Sequence, residues 1–228
     1  MASAILETPL AQATTVFIVD DDDDVRRSVS LLVRSIGLAD ESYASAQDFL
    51  EHFDPRKTGC LVLDIRMPGM SGLELQKASH SDFVLPPIIF ISAHGDIPLA
   101  IQALRAGAVD FMQKPFSPQA LLERIREAIE IDHENRRKRA VNEQVQHRVD
   151  QLTERERQIM GYLVQGDSTK QIAQRLSISP KTVDNHRARI LEKMKVDNTT
   201  QLARLVALLP CPSHSACCWS SDPPMTWS

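Results

Sequence analysis

Five times between residues 16 and 131 a short apolar, β-rich run is followed by a stretch with helical spacing, and this alternation limits the fold more than any other property of the chain. The runs are VFIV (16–19), a weaker one near 39–43, CLVLD (60–64), IIFIS (88–92) and VDFMQ (109–113). After the first, Val25, Val29, Leu32 and Ile36 keep a helical spacing that Gly37 stops. A helix from Ser45 carries Phe49, Leu50 and Phe53; a short helix follows the Pro/Gly loop 66–72; another spans 97–107; and the last starts near 118. Alternation of this kind builds a parallel sheet with helices on both faces, whose strands are apolar throughout, as IIFI and LVL are. The first half is therefore expected to be α/β, a doubly wound five-stranded parallel sheet.

Beyond it the pattern changes. Residues 132–150, DHENRRKRAVNEQVQHRVD, hold no Gly or Pro and few apolar positions besides Val141, Val145 and Val149, which recur every four residues. They predict a long exposed helical linker whose one stripe is available to a partner helix. From 151 to 209 the signals are purely helical. Thr153-x-x-Glu156 and Ser168-x-x-Gln171 are capping boxes, Ser179-Pro180 sets an N-cap before a first-turn proline, and Gly166 ends a helix. Four short helices, starting near 153, 168, 180 and 199, give an all-α domain, and the tight turn at 177–179 makes 168–187 a helix-turn-helix.

Charge separates the halves: residues 1–116 hold 16 acids against 9 Lys/Arg, whereas 151–209 hold 6 against 10. Nucleic acid is the expected partner of the second half. Cys60 stands alone in the body of the chain, which is not a disulfide framework. No apolar run approaches the ~20 residues that span a bilayer, and the start lacks the features of a signal peptide, so a cytoplasmic protein without membrane contact is expected.

In an open parallel sheet, ligands bind beyond the carboxyl ends of the strands. There stand Asp20 and Asp21 after the first strand, Asp64 after the third, Ser92 after the fourth and Lys114 after the fifth. The run Asp20–Asp24 on its own reads as a solvated block of like charge; five functional groups on one edge do not. Carboxylates gathered there repel one another by several kcal/mol, a repulsion that a divalent cation relieves, Mg²⁺ or Mn²⁺ being suited to oxygen ligands. One carboxylate is then placed to attack a phosphoryl group while cation, lysine and hydroxyl neutralise its oxygens.

Asp20-Asp21, LVLDIRMPGMSG (61–72), ISAHGD (91–96) and DFMQKPF (110–116) resemble the receiver domain of two-component response regulators, over about residues 14–131. That resemblance implies the flavodoxin-like strand order 2-1-3-4-5. It also implies Asp64 as phosphoacceptor from a sensor histidine kinase, and Asp20, Asp21, Asp64 and the backbone carbonyl of Arg66 as the metal ligands. Ser92 and Lys114 would meet the phosphoryl oxygens, with a cis Lys114-Pro115 bond. Ser92 and Phe111 would form the switch, and the face of residues 97–113 would pair with a second copy. A rival reading takes FIVDDDDDV as the nucleophile motif of a haloacid-dehalogenase-like phosphatase, with Asp20 as nucleophile and Asp22 as acid/base; it leaves Asp64 without a role, and no adjacent acid pair follows Lys114.

On a helical wheel of 180–195, Val183, Ile190 and Met194 share one face, and Lys181, Asn185, Ala188, Arg189 and Glu192 the other. Lys and Arg suit phosphates, Asn adenine, and Ala a thymine methyl. Residues 152–196 are similar to the LuxR-type helix-turn-helix that ends NarL/FixJ-class regulators, and the receiver motifs favour the FixJ branch. The resemblance implies base-facing Asp184, Asn185 and Ala188, with Lys170, Lys181, Thr182, Arg187 and Lys193 near the DNA backbone. The whole then reads as a phosphorylation-dependent transcriptional activator, catalytic only in its own phosphotransfer and dephosphorylation, that dimerises on promoter DNA and works with RNA polymerase. Residues 1–13 are expected to be disordered. So is the Pro/Ser/Cys-rich tail 210–228, whose Cys211, His214, Cys217 and Cys218 lack the second ligand cluster of a zinc site.

Overall fold

The computed structural model describes residues 14–78, 84–93 and 97–209. The termini expected to be disordered, 1–13 and 210–228, lie outside the described residues. The chain divides into two compact units, Met1–Arg136 and Arg137–Ser228.

In the first unit β1 (Thr15–Val19), α1 (Asp23–Ser35), β2 (Ala39–Tyr43), α2 (Ala46–His52), β3 (Gly59–Asp64), α3 (Gly72–Lys77), β4 (Ile88–Ser92), α4 (Ile97–Arg105) and β5 (Asp110–Gln113) follow in the expected alternation, before the start of α5 (Pro118–Asp150). The sheet order is β2-β1-β3-β4-β5 and every pair is parallel. Successive side chains leave a strand on opposite faces, so each apolar run fills two cores at once. Phe17, Val19, Leu61, Leu63 and Phe90 meet Phe49 of α2 and Leu73 and Leu75 of α3 on one side. Val16, Ile18, Val62, Ile89 and Ile91 meet Val29 and Val33 of α1 and Leu121 and Ile125 of α5 on the other.

The acidic run is divided by its geometry. Asp20 lies just past β1, while Asp22 is the N-cap of α1 and accepts from the backbone N–H of Asp24 and Val25. Asp23 and Asp24 occupy the first turn, where the helix dipole favours negative charge.

The linker departs from expectation. It is not a separate exposed helix but the continuation of α5, 33 residues in all. Asp132 is buried and accepts from the backbone N–H of Gly59 (2.9 Å) and from Arg136 (2.7 Å). Arg136 also donates to the carbonyls of Pro55, Arg56 and Lys57, so the helix belongs to the first unit as far as residue 136. At the other end Val145 and Val149 are buried in the core of the second unit. The stripe expected to await a partner helix is thus covered by the same chain, and only Val141 of the three is exposed. A single apolar stripe signals burial without saying against what.

The second unit adds α6 (Glu154–Gln165), α7 (Thr169–Arg175), α8 (Pro180–Met194) and α9 (Thr199–Val206). Both capping boxes form, Gly166 ends α6 in the left-handed conformation, and Ser179 caps α8 ahead of Pro180. The turn between α7 and α8 passes through Ser177 at φ 51°. Val183, Ile190 and Met194 are fully buried beside Ile159, Met160 and Ile172, so the wheel assigned the inner face of α8 correctly.

Candidate functional site

The carboxyl edge of the sheet gathers part of the expected constellation. Lys114 sends its Nζ to Asp20 Oδ2 at 2.6 Å and to Asp64 Oδ1 at 2.8 Å, joining three strand ends through one ammonium. The other oxygens are also engaged: Asp20 Oδ1 accepts from the backbone N–H of Asp22 (3.0 Å) and Asp64 Oδ2 from that of Arg66 (2.6 Å). Ser92, buried at the end of β4, accepts through its carbonyl from the N–H of Lys114 (2.8 Å), which sets the height of the lysine on the edge. The Lys114-Pro115 bond is cis.

Burial decides the electrostatics. The Asp20 side chain is 1 % exposed, that of Asp64 8 % and that of Lys114 18 %. Burial pushes the Asp20 carboxyl above its ordinary value, against the opposing hydrogen bonds from Lys114 and Asp22. Burial also works against the charge of Lys114, but its bonds to Asp20 and Asp64 outweigh that and hold it above the usual lysine range. The edge therefore carries a fixed cation between two carboxylates in a poorly solvated place.

The expected ligands are only partly assembled. Asp20 and Asp64 come together; Asp21 is exposed, and among the described residues no three His, Cys, Asp or Glu side chains form a group able to hold a metal. The repulsion expected among three carboxylates is thus reduced to two and met by Lys114. Mg²⁺ needs one or two carboxylates, and Asp20 and Asp64 supply hard oxygen donors of that kind, so the residues fit such an ion. Phe111 is half-buried against the core that contains Phe90 and Ala103. On α4, Ala103 alone is fully buried, while Ile97 (70 %), Ile101 (46 %) and Leu104 (45 %) are exposed.

In the second unit Lys170, Lys181, Asp184, Asn185, Ala188 and Arg189 are all exposed, whereas Thr182, Arg187 and Lys193 are half-buried. Thr182 shares a hydrogen bond between its hydroxyl and that of Ser179 (2.7 Å), and Arg187 donates to the Thr199 hydroxyl (2.9 Å). Lys193 departs most from expectation: its Nζ donates to Glu156 Oε2 (2.6 Å), a residue only 3 % exposed, and to the Gln151 carbonyl (3.3 Å). Burial opposes the charge of Glu156, yet the bonds from Lys193 and Thr153 hold its carboxyl below the usual range. In this structure the ammonium of Lys193 is thus bonded within the second unit.

Sequence reasoning missed three supports. Arg26 donates to the Asp20 carbonyl at 2.7 Å and braces the acidic edge from α1. Gly72 lets α3 start against the Asp64 carbonyl, where a Cβ would lie 2.3 Å from that oxygen. Thr169 at the start of α7 donates to Asp184 Oδ1 on α8 at 3.2 Å. The glycine was recoverable from the Ser71-Gly72 pair that opens a helix; the other two are cross-element contacts with no local signal.

Comparison with known proteins agrees with this division. Residues 16–126 match the response regulator receiver domain, and residues 150–206 match the luxR family of bacterial regulatory proteins. The chain is 42 % identical over 198 residues to the response regulator protein TodT of Pseudomonas putida, covering 87 % of each. It is 39 % identical over 199 residues to the transcriptional regulatory protein FixJ of Azorhizobium caulinodans, covering 87 % of the chain and 94 % of FixJ. The solved structure of the response regulator StyR is similar with a TM-score of 0.71 at 44 % identity, over 86 % of this chain and 98 % of StyR.

Proposed function

Because the chain belongs to the NarL/FixJ-type response regulators, transcriptional regulators of two-component systems that join a receiver to a LuxR-type DNA-binding domain, we propose that Asp64 accepts a phosphoryl group from a sensor histidine kinase and that this changes how the second unit engages promoter DNA. The observation that carries the reading is Lys114 bridging Asp20 and Asp64 at the carboxyl edge. The family is one of transcriptional regulators rather than of free-standing enzymes, which displaces the dehalogenase-like alternative.

An Asp64 oxygen attacks phosphorus, the bond from phosphorus to the kinase histidine breaks, and its electron pair leaves on the imidazole. Lys114 surrenders its bond to Asp64 to an oxygen of the arriving group, and the Ser92 hydroxyl takes another. Asp20, Asp21, Asp64 and the Arg66 carbonyl would hold Mg²⁺ or Mn²⁺, which supplies further neutralisation of the phosphoryl charge. As Ser92 moves toward the new oxygens, Phe111 turns inward into the space it vacates, and the face of residues 97–113 changes with it. The exposed Ile97, Ile101 and Leu104 then meet a second copy through the 97–113 face. Two DNA-binding units on a two-fold site recruit RNA polymerase and activate transcription in the cytoplasm. No helix among the described residues is long and apolar enough to cross a membrane.

The test is incubation with acetyl phosphate and Mg²⁺ followed by intact mass and gel filtration. The wild-type chain should gain one phosphoryl group and elute earlier, and Asp64→Asn should do neither. A phosphoryl group on the Asp64→Asn chain refutes the assignment; phosphorylation without a change of elution refutes the dimer.

A further inference from the structure

We propose that Asp184 selects cytosine in the major groove and that Thr169 is the residue that positions it. The inference rests on the DNA-binding role given above to the second unit and adds which base one of its side chains reads. Asp184 is an exposed acid of α8, at one of the positions that the resemblance turns toward the bases. Lys170, Lys181 and Arg189 are exposed in the same helix pair and favour approach to phosphate. A carboxylate among them subtracts from that attraction for every DNA sequence.

Among the described residues no cation is paired with Asp184, so its charge is left for something outside the protein. Its sole partner among them is the Thr169 hydroxyl, a neutral donor 3.2 Å from Oδ1 and fifteen residues away on α7. This bond leaves the charge in place and restrains the rotamer. One oxygen faces Thr169 and the other is left to accept.

The chemistry of the groove then narrows the target. An ionised carboxylate only accepts hydrogen bonds. In the major groove the base-edge donors are the amino groups of cytosine and adenine, and adenine sets an N7 acceptor beside its amino group. That acceptor repels a carboxylate but suits a side-chain amide, which the neighbouring Asn185 provides. Cytosine, with its amino group and no adjacent N7, fits Asp184.

The experiment uses the full chain, treated with acetyl phosphate and Mg²⁺, to select from a random-sequence duplex library. The enriched duplex and its single-base variants are then titrated by fluorescence anisotropy. Wild type should enrich a cytosine in each half-site, and replacing it should weaken binding about tenfold. With Asp184→Ala the preference at that position should vanish while the others persist, and binding to unrelated duplexes should tighten. Thr169→Val should weaken the same preference and no other, and Thr169→Ser should restore it. Thermal melts of each variant separate these effects from misfolding. An unchanged selected sequence for Asp184→Ala, with uniformly tighter binding, overturns the proposal and makes Asp184 a solvated charge. Loss of the preference in Asp184→Ala but full retention in Thr169→Val overturns the role of Thr169. If wild type enriches no sequence, the DNA-binding reading itself falls first.

Discussion

Replacing Gly72 with alanine sets two effects of opposite sign against each other. Gly72 is the first residue of α3, where helix propensity alone predicts that alanine stabilises, by up to about 1 kcal/mol. Its backbone is not in the left-handed region, so no conformational penalty opposes the change. The surroundings do. A Cβ at this position would lie 2.3 Å from the carbonyl oxygen of Asp64, and 3.0 Å from Leu63 Cγ and from Phe90 Cε1, where ordinary contact begins at 3.4 Å. The oxygen belongs to the backbone of the central strand and cannot rotate away, so α3 or the end of β3 must shift by about 1 Å. Overpacking of this kind costs about 1–3 kcal/mol, more than the propensity gain. Differential scanning calorimetry of the full chain should therefore show the receiver transition lowered by roughly 4 °C or more. Because the displaced group is the backbone of Asp64, whose carboxylate sits 2.8 Å from Lys114, phosphorylation by acetyl phosphate should also slow by about 10–100-fold. Gly69→Ala is the control: in the loop before α3, at φ 79° with open space for a Cβ, it strains its backbone but leaves Asp64 alone. A Gly72→Ala chain as stable as wild type and phosphorylated at the same rate would refute the steric argument.

Other perturbations test the remaining contacts. Lys193→Ala leaves the buried Glu156 with only its Thr153 cap and should destabilise the second unit by about 2–3 kcal/mol, read by calorimetry, without changing the salt slope of DNA binding. Lys181→Ala should do the reverse, lowering that slope by about 1 at unchanged stability, and Asn185→Ala should relax sequence preference instead. Glu156, with its folded-state value below the ordinary 4.5, stabilises the charged form. Its contribution is complete above that value and is lost as pH falls through the lower folded one, so acid should weaken the second unit less in Glu156→Gln than in wild type. Asp132→Ala removes the acceptor of the Gly59 N–H and of Arg136 together and should cost the first unit about 3 kcal/mol, whereas a loss under 1 kcal/mol would mean that α5 is held by apolar packing alone.

The sheet was legible because its evidence is repeated. Each apolar run that is not amphipathic must be covered on both sides, and three of them, β1, β3 and β4, within a fivefold alternation of strand and helix leave a parallel doubly wound order as the natural solution. The caps were legible for a different reason: Thr153, Ser168 and Ser179 each satisfy a backbone N–H within three residues, so cause and effect share one window of sequence. The course of α5 was not. Val145 and Val149 look the same whether they meet a second chain or their own α6–α9, and the buried Asp132 looks like one more acid in a charged helix until Gly59, 73 residues earlier, is found against it.

The site follows the same rule with a sharper consequence. That Asp20, Asp64 and Lys114 converge could be inferred from strand ends, since the sheet order alone brings them to one edge. What each does with its charge depended on distances that strand order does not set. Asp21, adjacent in sequence to the buried Asp20, is exposed; Lys193, which the resemblance sets beside other cations near the DNA backbone, is bonded to Glu156. Type and spacing therefore nominate charged residues, and burial decides between them: a lysine beside a buried carboxylate is committed to it, because leaving that carboxylate unpaired costs more than any exposed phosphate contact returns. By that criterion Lys170, Lys181 and Arg189 remain open on the α7–α8 pair, where Lys193 is not.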